Sequence, residues 1–339
     1  MIDIDKLLSI RDLVQQNDKF AIIVHRNPDG DAIGSSQALA LYLRGMGKEA
    51  NVIAPNIFPD FLKWIDSAEK VIIYEQNSAL ADNCLHSADV IFCLDFNALS
   101  RIGDIANVVK ELSVPRVLID HHLNPEDSFD VSVSYTAACS TSELVYYLLE
   151  FLNGGTTLPR NIAECVYTGI MTDTGNFAYA SNRKELYMLV ARLIEAGIDK
   201  DAIYRKVFYS YSVDRLRLFG YVMNNKLQYF PKKNATVMTL SYNELRKFNA
   251  MKGDTEGLVN MPLQIKGLRF SCFLREEQPG KINVSLRSVG DFPCNKVAAD
   301  FFNGGGHKNA SGGEVLGTMS EAVERFKKAI EIYAEELTS

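Results

Sequence analysis

The chain has 339 residues, 47% of them hydrophobic and 23% charged, with a formal net charge of −6. That length suits two domains, and the balance is that of a folded globular protein rather than a disordered or fibrous one. An acidic chain lacks the broad basic face that grips long duplex nucleic acid, so the expected partner is a small anionic substrate held by local charges and not duplex DNA.

In chain order, the first segment, MIDIDKLLSIRDLVQQNDKF, mixes acids and bases through its apolar positions and reads as an amphipathic helix, not a signal peptide. No apolar run approaches the roughly 20 residues that cross a bilayer, which excludes a membrane partner and leads to a cytoplasmic expectation. Three short apolar runs follow, and each ends on chemistry. Phe20 to Val24 leads into His25, Val90 to Leu94 into Asp95, and Val114 to Ile119 into Asp120, His121 and His122. Runs of this length rich in Val and Ile suit strands of a parallel sheet covered on both faces. Helical patterns at Ala38 to Met46 and Thr141 to Leu152 alternate with them. The fold expected is α/β: an N-terminal doubly wound, mainly parallel sheet, with its polar residues gathered beyond the carboxyl ends of the strands.

Further on, a helix is expected over about Ile162 to Met171, broken at Asp173-Thr174-Gly175. LYMLVARLIEAGI has a 3.6-residue period that Gly197 closes. Near Tyr229 to Asn234 the pattern turns to Pro and Lys, followed by the strand-like runs ATVMTL, LRFSCFL and KINVSLR and by a helix over about Ser320 to Leu337. These features predict a domain over residues 1–230 and a smaller α+β domain over 231–339, with the active site in the cleft between them. The six cysteines, Cys84, Cys93, Cys139, Cys165, Cys272 and Cys294, are scattered with no CxxC pair and read as reduced, mostly buried thiols.

The segment His25 to Ser36, HRNPDGDAIGSS, places His25, Asp29 and Asp31 within seven residues, with Pro28, Gly30 and Gly34 shaping the loop. Carboxylates and imidazole in such spacing suit Mn²⁺, Fe²⁺ or Mg²⁺, and the lack of a nearby Cys weakens zinc. Taken singly, Asp29 also suits a helix N-cap, and Asp95 an ordinary cap or loop residue. Asp120, His121 and His122 are harder to dismiss: three titratable groups straight after a buried strand cost much desolvation without partners. Of five histidines, only His86 reads as ordinary surface.

His25-x-x-x-Asp29-x-Asp31, Asp95, Asp120-His121-His122 and Asp173 resemble, in order and context, the four motifs of the DHH phosphoesterase family. GGGHKNASGG (Gly304 to Gly313) resembles the substrate-binding motif of the GGGH-bearing DHH-associated C-terminal domain. The resemblance implies two divalent metal ions, Mn²⁺ foremost with Mg²⁺ or Fe²⁺ as alternatives. It assigns one ion to His25, Asp29 and Asp95, and the other to Asp31, Asp95, His121 and Asp173. It also implies that Asp120 orients the histidines and that His122 touches the scissile phosphate or its leaving group. On the C-terminal side, Arg287 and Ser288 in NVSLRS, with Gly305, Gly306 and His307, are the candidate substrate contacts. Arg287 offers a planar fork for phosphate oxygens, and the glycines let backbone N–H groups approach an anion. Arg101, six residues after Asp95, is a weaker candidate.

The implied activity is hydrolysis of very short oligoribonucleotides, as in nanoRNases, and of 3′-phosphoadenosine 5′-phosphate, by a water activated between two metals. Hydrolysis of cyclic or linear dinucleotides is the alternative. A single-strand exonuclease of the RecJ type is disfavoured by the acidic charge. Pyrophosphatase or exopolyphosphatase activity is disfavoured because those members resemble a C-terminal domain without GGGH. A non-catalytic nucleotide-binding regulator would show a damaged ligand set, and here every expected position is filled. A homodimer is compatible with all of this.

Overall fold

The computed structural model describes residues 3–338. The chain divides into two compact units, the first ending at Ser210 and the second beginning at Tyr211.

The first unit runs α1 (Ile4–Gln16), β1 (Lys19–Val24), α2 (Gly30–Gly45), β2 (Glu49–Ala54), β3 (Ile72–Ile73), α3 (Ser78–Ser87), β4 (Val90–Leu94), α4 (Ile105–Glu111), β5 (Arg116–Asp120), β6 (Val131–Ser134), α5 (Thr141–Leu152), α6 (Arg160–Asp173), α7 (Lys184–Glu195) and α8 (Lys200–Phe208). Its six strands form one sheet in the order β3-β2-β1-β4-β5-β6, with every neighbouring pair parallel. Alternation along β1 explains the two layers. Phe20, Ile22 and Val24 pack with Ile33 and Leu39 of α2 and with residues of α5 and α6. Ala21 and Ile23 face Ala81 and Leu85 of α3 and Ile105 and Val109 of α4. This is the expected doubly wound architecture, and its strand order reverses between β1 and β4, the point at which such sheets open a crevice for ligands.

Gly30 and Gly34 do not shape a loop as the sequence suggests, because both lie inside α2. They set its distance from α6 instead. A Cβ on Gly30 would stand 2.2 Å from Thr172 Oγ1, and one on Gly34 would stand 2.6 Å from the Cys165 carbonyl and 2.9 Å from the Gly169 nitrogen. Only bare backbone lets the two helices lie this close.

The second unit comprises α9 (Val213–Asn225), β7 (Leu227–Phe230), β8 (Ala235–Leu240), α10 (Tyr242–Lys247), β9 (Phe270–Gln278), β10 (Lys281–Ser288), α11 (Cys294–Phe302), β11 (Gly305–His307), β12 (Ala310–Leu316), α12 (Met319–Ile332) and α13 (Ala334–Thr338). Its sheet has the order β11-β12-β10-β9-β8-β7, antiparallel except where β8 meets β9. One face packs on α11 and α12 through Phe270, Phe302 and Phe326, and the other on α9 through Met238, Phe273, Leu218 and Val222. The unit is α+β, as expected. The break falls after Ser210 rather than at residue 230, because α9 and β7 pair and pack with β8. The expected last helix is two, α12 and α13, divided at Tyr333.

All six cysteines are free, and all but Cys84 are buried. Among the described residues, no helix is long and apolar enough to cross a membrane.

Candidate metal centre

His25 is the first residue after β1, Asp95 the first after β4, and Asp120 the last of β5. Three adjacent parallel strands therefore bring their carboxyl ends to one edge, at and beside the switch point. The loop after β1 is pinned at several places. The Arg26 N–H donates to the Arg101 carbonyl at 2.8 Å, and Asn27 and Asn56 exchange hydrogen bonds of 2.7 and 2.8 Å. Arg101 thus contributes backbone support here.

Asp29 caps α2 and also faces His25. Its Oδ1 accepts from the Asp31 and Ala32 N–H groups at 3.0 and 3.1 Å, which starts α2, and also lies 3.9 Å from His25 Nε2. Asp31 follows in the first turn and is 1% exposed. Asp173 is the last residue of α6, brought to Asp31 by the glycine-lined contact of α2 with α6.

Asp95 sits between two groups. Its Oδ2 is 3.4 Å from His25 Nε2, while its Oδ1 is 3.6 Å from His121 Nε2. His25, Asp29 and Asp95 offer ligand atoms that all lie within 4.8 Å of one another, as do those of Asp31, His121 and Asp173. His121 Nε2 stands 3.9 Å from Asp31 and 3.5 Å from Asp173. Asp95 has φ +64°, a left-handed conformation that costs a non-glycine residue about 1–3 kcal/mol and is characteristic of functional sites.

The ring orientations are fixed from behind. His25 Nδ1 lies 2.8 Å from the Arg26 carbonyl and His121 Nδ1 3.4 Å from the Ala138 carbonyl. A protonated Nδ1 donating to each carbonyl leaves both Nε2 atoms as electron-pair donors toward the carboxylates. Asp120, fully buried, accepts from His122 Nδ1 at 2.7 Å. It therefore orients His122, while His121 is turned by a backbone carbonyl.

The carboxylates dominate the electrostatics of the cluster. Burial opposes a charged His25, yet Asp29 and Asp95 outweigh it and push the imidazole up to about 10. Burial likewise opposes a charged His121, but Asp173, Asp95 and Asp31 push it up to about 9. Burial, with Asp95 and Asp173 adding to it, drives Asp31 well above the usual carboxylate range. Burial would raise Asp95 too, but hydrogen bonding and charge from His25 hold it well below that range. Protons are drawn in because carboxylates outnumber the positive charge that meets them. The donor set of carboxylate oxygens and imidazole nitrogens, with no thiolate, fits hard or borderline divalent cations such as Mn²⁺ or Mg²⁺.

Two contributors escape the sequence reading. The Thr141 N–H donates to Asp31 Oδ2 at 2.6 Å, the Ser142 N–H to Asp31 Oδ1 at 2.8 Å, and the Thr141 hydroxyl to Asp95 Oδ1 at 3.0 Å. The N-terminus of α5 thus holds a carboxylate that is almost wholly buried. A Ser140-x-x-Glu143 spacing is the one sequence signal that could have marked that helix start, and it says nothing of what faces it.

In the second unit, Arg287 stands near the end of β10, in register with Ser271 of β9 and Ala310 of β12, and Ala310 pairs with His307 of β11. Arg287, Ala310 and His307 therefore lie in one row across the sheet. Ser288 is 5% exposed, and its hydroxyl donates to the Phe292 carbonyl and accepts from Asn309 at 2.7 and 2.8 Å. Both bonds hold the turn that follows β10. The GGGH segment is an edge strand rather than an open glycine cradle. A Cβ on Gly304 would stand 1.8 Å from the Gly312 carbonyl and one on Gly306 2.7 Å from the Ala310 carbonyl, whereas Gly305 faces open space.

Residues 19–170 match the DHH family N-terminal domain, and residues 233–336 match the DHHA1 domain. A crystal structure of an exopolyphosphatase-related protein from Bacteroides fragilis is 47% identical, with a TM-score of 0.95 over 100% of this chain and 99% of that one. The chain belongs to the DHH phosphoesterase family. Another relative in that family, the bifunctional oligoribonuclease and PAP phosphatase NrnA of Thermus thermophilus, is 29% identical over 94% of this chain and 90% of its own length. A crystal structure of the exonuclease RecJ bound to manganese shares the fold, with a TM-score of 0.54 at 16% identity over 97% of this chain and 94% of that one.

Proposed function

We propose that this DHH protein is a metal-dependent phosphoesterase that hydrolyses very short oligoribonucleotides and 3′-phosphoadenosine 5′-phosphate. The observation that carries the reading is Asp95, whose two oxygens face two separate His/Asp groups. The activities named for the Thermus relative fit that arrangement, and the manganese in the RecJ structure fits its donor chemistry.

In this reading His25, Asp29 and Asp95 would hold one divalent ion, and Asp31, Asp95, His121 and Asp173 would hold a second. Such ions would supply Lewis acidity, making a water more acidic and offsetting the charge of the phosphate. The protein's own groups do the rest. The α5 N-terminus keeps Asp31 from swinging, and the carbonyls of Arg26 and Ala138 keep both Nε2 atoms aimed inward. Asp120 accepts a hydrogen bond from His122 Nδ1–H, so Nε2 is the ring nitrogen that meets the leaving oxygen of the ester. We extend the proposal to Arg287, Gly305, Gly306 and His307 as contacts for a substrate phosphate or base; Ser288 supports the adjoining turn.

A substrate panel with Mn²⁺ tests the reading: diribonucleotides, 3′-phosphoadenosine 5′-phosphate, cyclic dinucleotides, pyrophosphate and polyphosphate. Fastest turnover is expected for the first two and none in excess EDTA. Polyphosphate as the preferred substrate would overturn the substrate assignment, and so would a preference for cyclic dinucleotides. His122→Ala at parental turnover would remove His122 from the chemistry.

A further inference from the structure

Glu143 is the third residue of α5 and 1% exposed, a costly place for a carboxylate unless it is paired. Its Oε2 accepts from the Cys139 N–H at 2.7 Å, and Arg183 Nη2 lies 2.5 Å from both of its oxygens. The Ser140 hydroxyl accepts from the Glu143 N–H at 3.1 Å, closing the turn that leads into the helix.

These contacts join two stretches of chain that each serve the metal centre. Residues 139–142 present the Thr141 and Ser142 amides to Asp31 and the Thr141 hydroxyl to Asp95. Residues 174–183 lead away from Asp173, and Asn176, Phe177 and Ala180 among them have positive φ, as does Gly175. Three non-glycine residues in that region persist only where the surroundings hold them. Arg183 ends the stretch as the residue that caps α7.

We propose that the Glu143–Arg183 ion pair is a positioning device, tying the α5 N-terminus to the far end of the Asp173 segment so that Asp31, Asp95 and Asp173 converge on the metal positions. The proposal rests on the functional reading above. Neither residue reaches the cluster; both act through the backbone that holds it. A buried ion pair adds little net stability over a packed apolar pair, so positioning and stabilisation can be separated experimentally.

The full-length chain is compared with Arg183→Met, Arg183→Lys and the double variant Glu143→Leu/Arg183→Met. Each is titrated with Mn²⁺ alone, the free-ion electron paramagnetic resonance signal reporting affinity, with Tm and kcat/KM on a diribonucleotide measured alongside. Arg183→Met is expected to lose about tenfold in Mn²⁺ affinity at temperatures well below its Tm, in line with losses seen when supporting partners of metal ligands are removed. Arg183→Lys recovers part of that loss, and the double variant keeps the parental Tm while binding Mn²⁺ weakly. If the double variant fails to fold, the single variants at Arg183, whose side chain is 29% exposed, still decide the matter. Variants that bind Mn²⁺ as tightly as the parent overturn the positioning role and leave the functional reading intact. A parent chain that binds no Mn²⁺ overturns the reading itself.

Discussion

The two units treat their conspicuous motifs in opposite ways. In the first, the motif side chains leave the ends of β1, β4 and β5 and converge, so that the buried Asp31 and Asp95 and the more exposed Asp29 and Asp173 meet with imidazoles as their partners. In the second, most of the motif is spent on backbone: Gly304 and Gly306 allow β11 to lie against β12, Ser288 locks a turn, and only Gly305 opens to space. A string of charged residues is thus best explained by what it gathers around, and a string of glycines by what it must pass. Five substitutions, one of them read across pH, test the two units.

The largest effect is expected for Asp95→Asn. Removing the carboxylate that faces both groups should lower kcat/KM by more than about 10²-fold, beyond what loss of an outer partner costs a metal site. Its Tm without metal should fall as well, because the buried His25 that holds Asp95 ionised loses its partner. Mn²⁺ affinity equal to the parent's in Asp95→Asn would mark Asp95 as structural.

Gly34→Ala comes next. The added Cβ would meet the Cys165 carbonyl at 2.6 Å, so α2 must move from α6, at about 1–3 kcal/mol as for other overpacked contacts. Chemical denaturation measures the loss, and Mn²⁺ affinity should fall with it because Asp31 and Asp173 ride on the two helices.

The second unit offers a paired test. Gly304→Ala, aimed at the Gly312 carbonyl, should lower Tm, while Gly305→Ala should leave stability within about 0.5 kcal/mol. If Gly305→Ala raises KM at unchanged Tm, the edge strand has a substrate face; equal tolerance of both changes would leave the close packing without consequence.

The smallest effect concerns Glu244. Burial would raise its carboxyl, but Lys226, Tyr221 and the cap of α10 at Ser241 hold it down to about 2, from an ordinary value of 4.5. A depressed folded-state value stabilises above the unfolded one, so this contribution is fully present above pH 4.5 and is lost as pH falls toward about 2. Tm measured across that window should fall less steeply in Glu244→Gln.

The strands that carry the candidate site were more legible in the sequence than the strands at the sheet edges. Strands β1, β4 and β5 announce themselves because burial on both faces makes them unbroken apolar runs, each followed by a charged residue. Strands β3 and β6 do not, since one is two residues long and the other, VSVS, is half polar at a sheet edge. Asp29 shows why its cap and metal-ligand readings do not exclude each other: the same oxygen that caps α2 lies 3.9 Å from His25 Nε2. The grip on Asp31 was invisible because amide groups carry no residue identity, and Thr141 and Ser142 act largely through theirs. Gly30 and Gly34 were visible, but whether a glycine serves a turn or a helix contact depends on what lies opposite, here Thr172 and the backbone of α6.

The account turns on Asp95 serving two cations at the switch point of the first sheet. Counting bound Mn²⁺ per chain by calorimetric titration, for the parent and for Asp95→Asn, tests it most directly. Two ions in the parent and fewer in the variant are predicted; a parent that binds none, or a variant that still binds two, would contradict it.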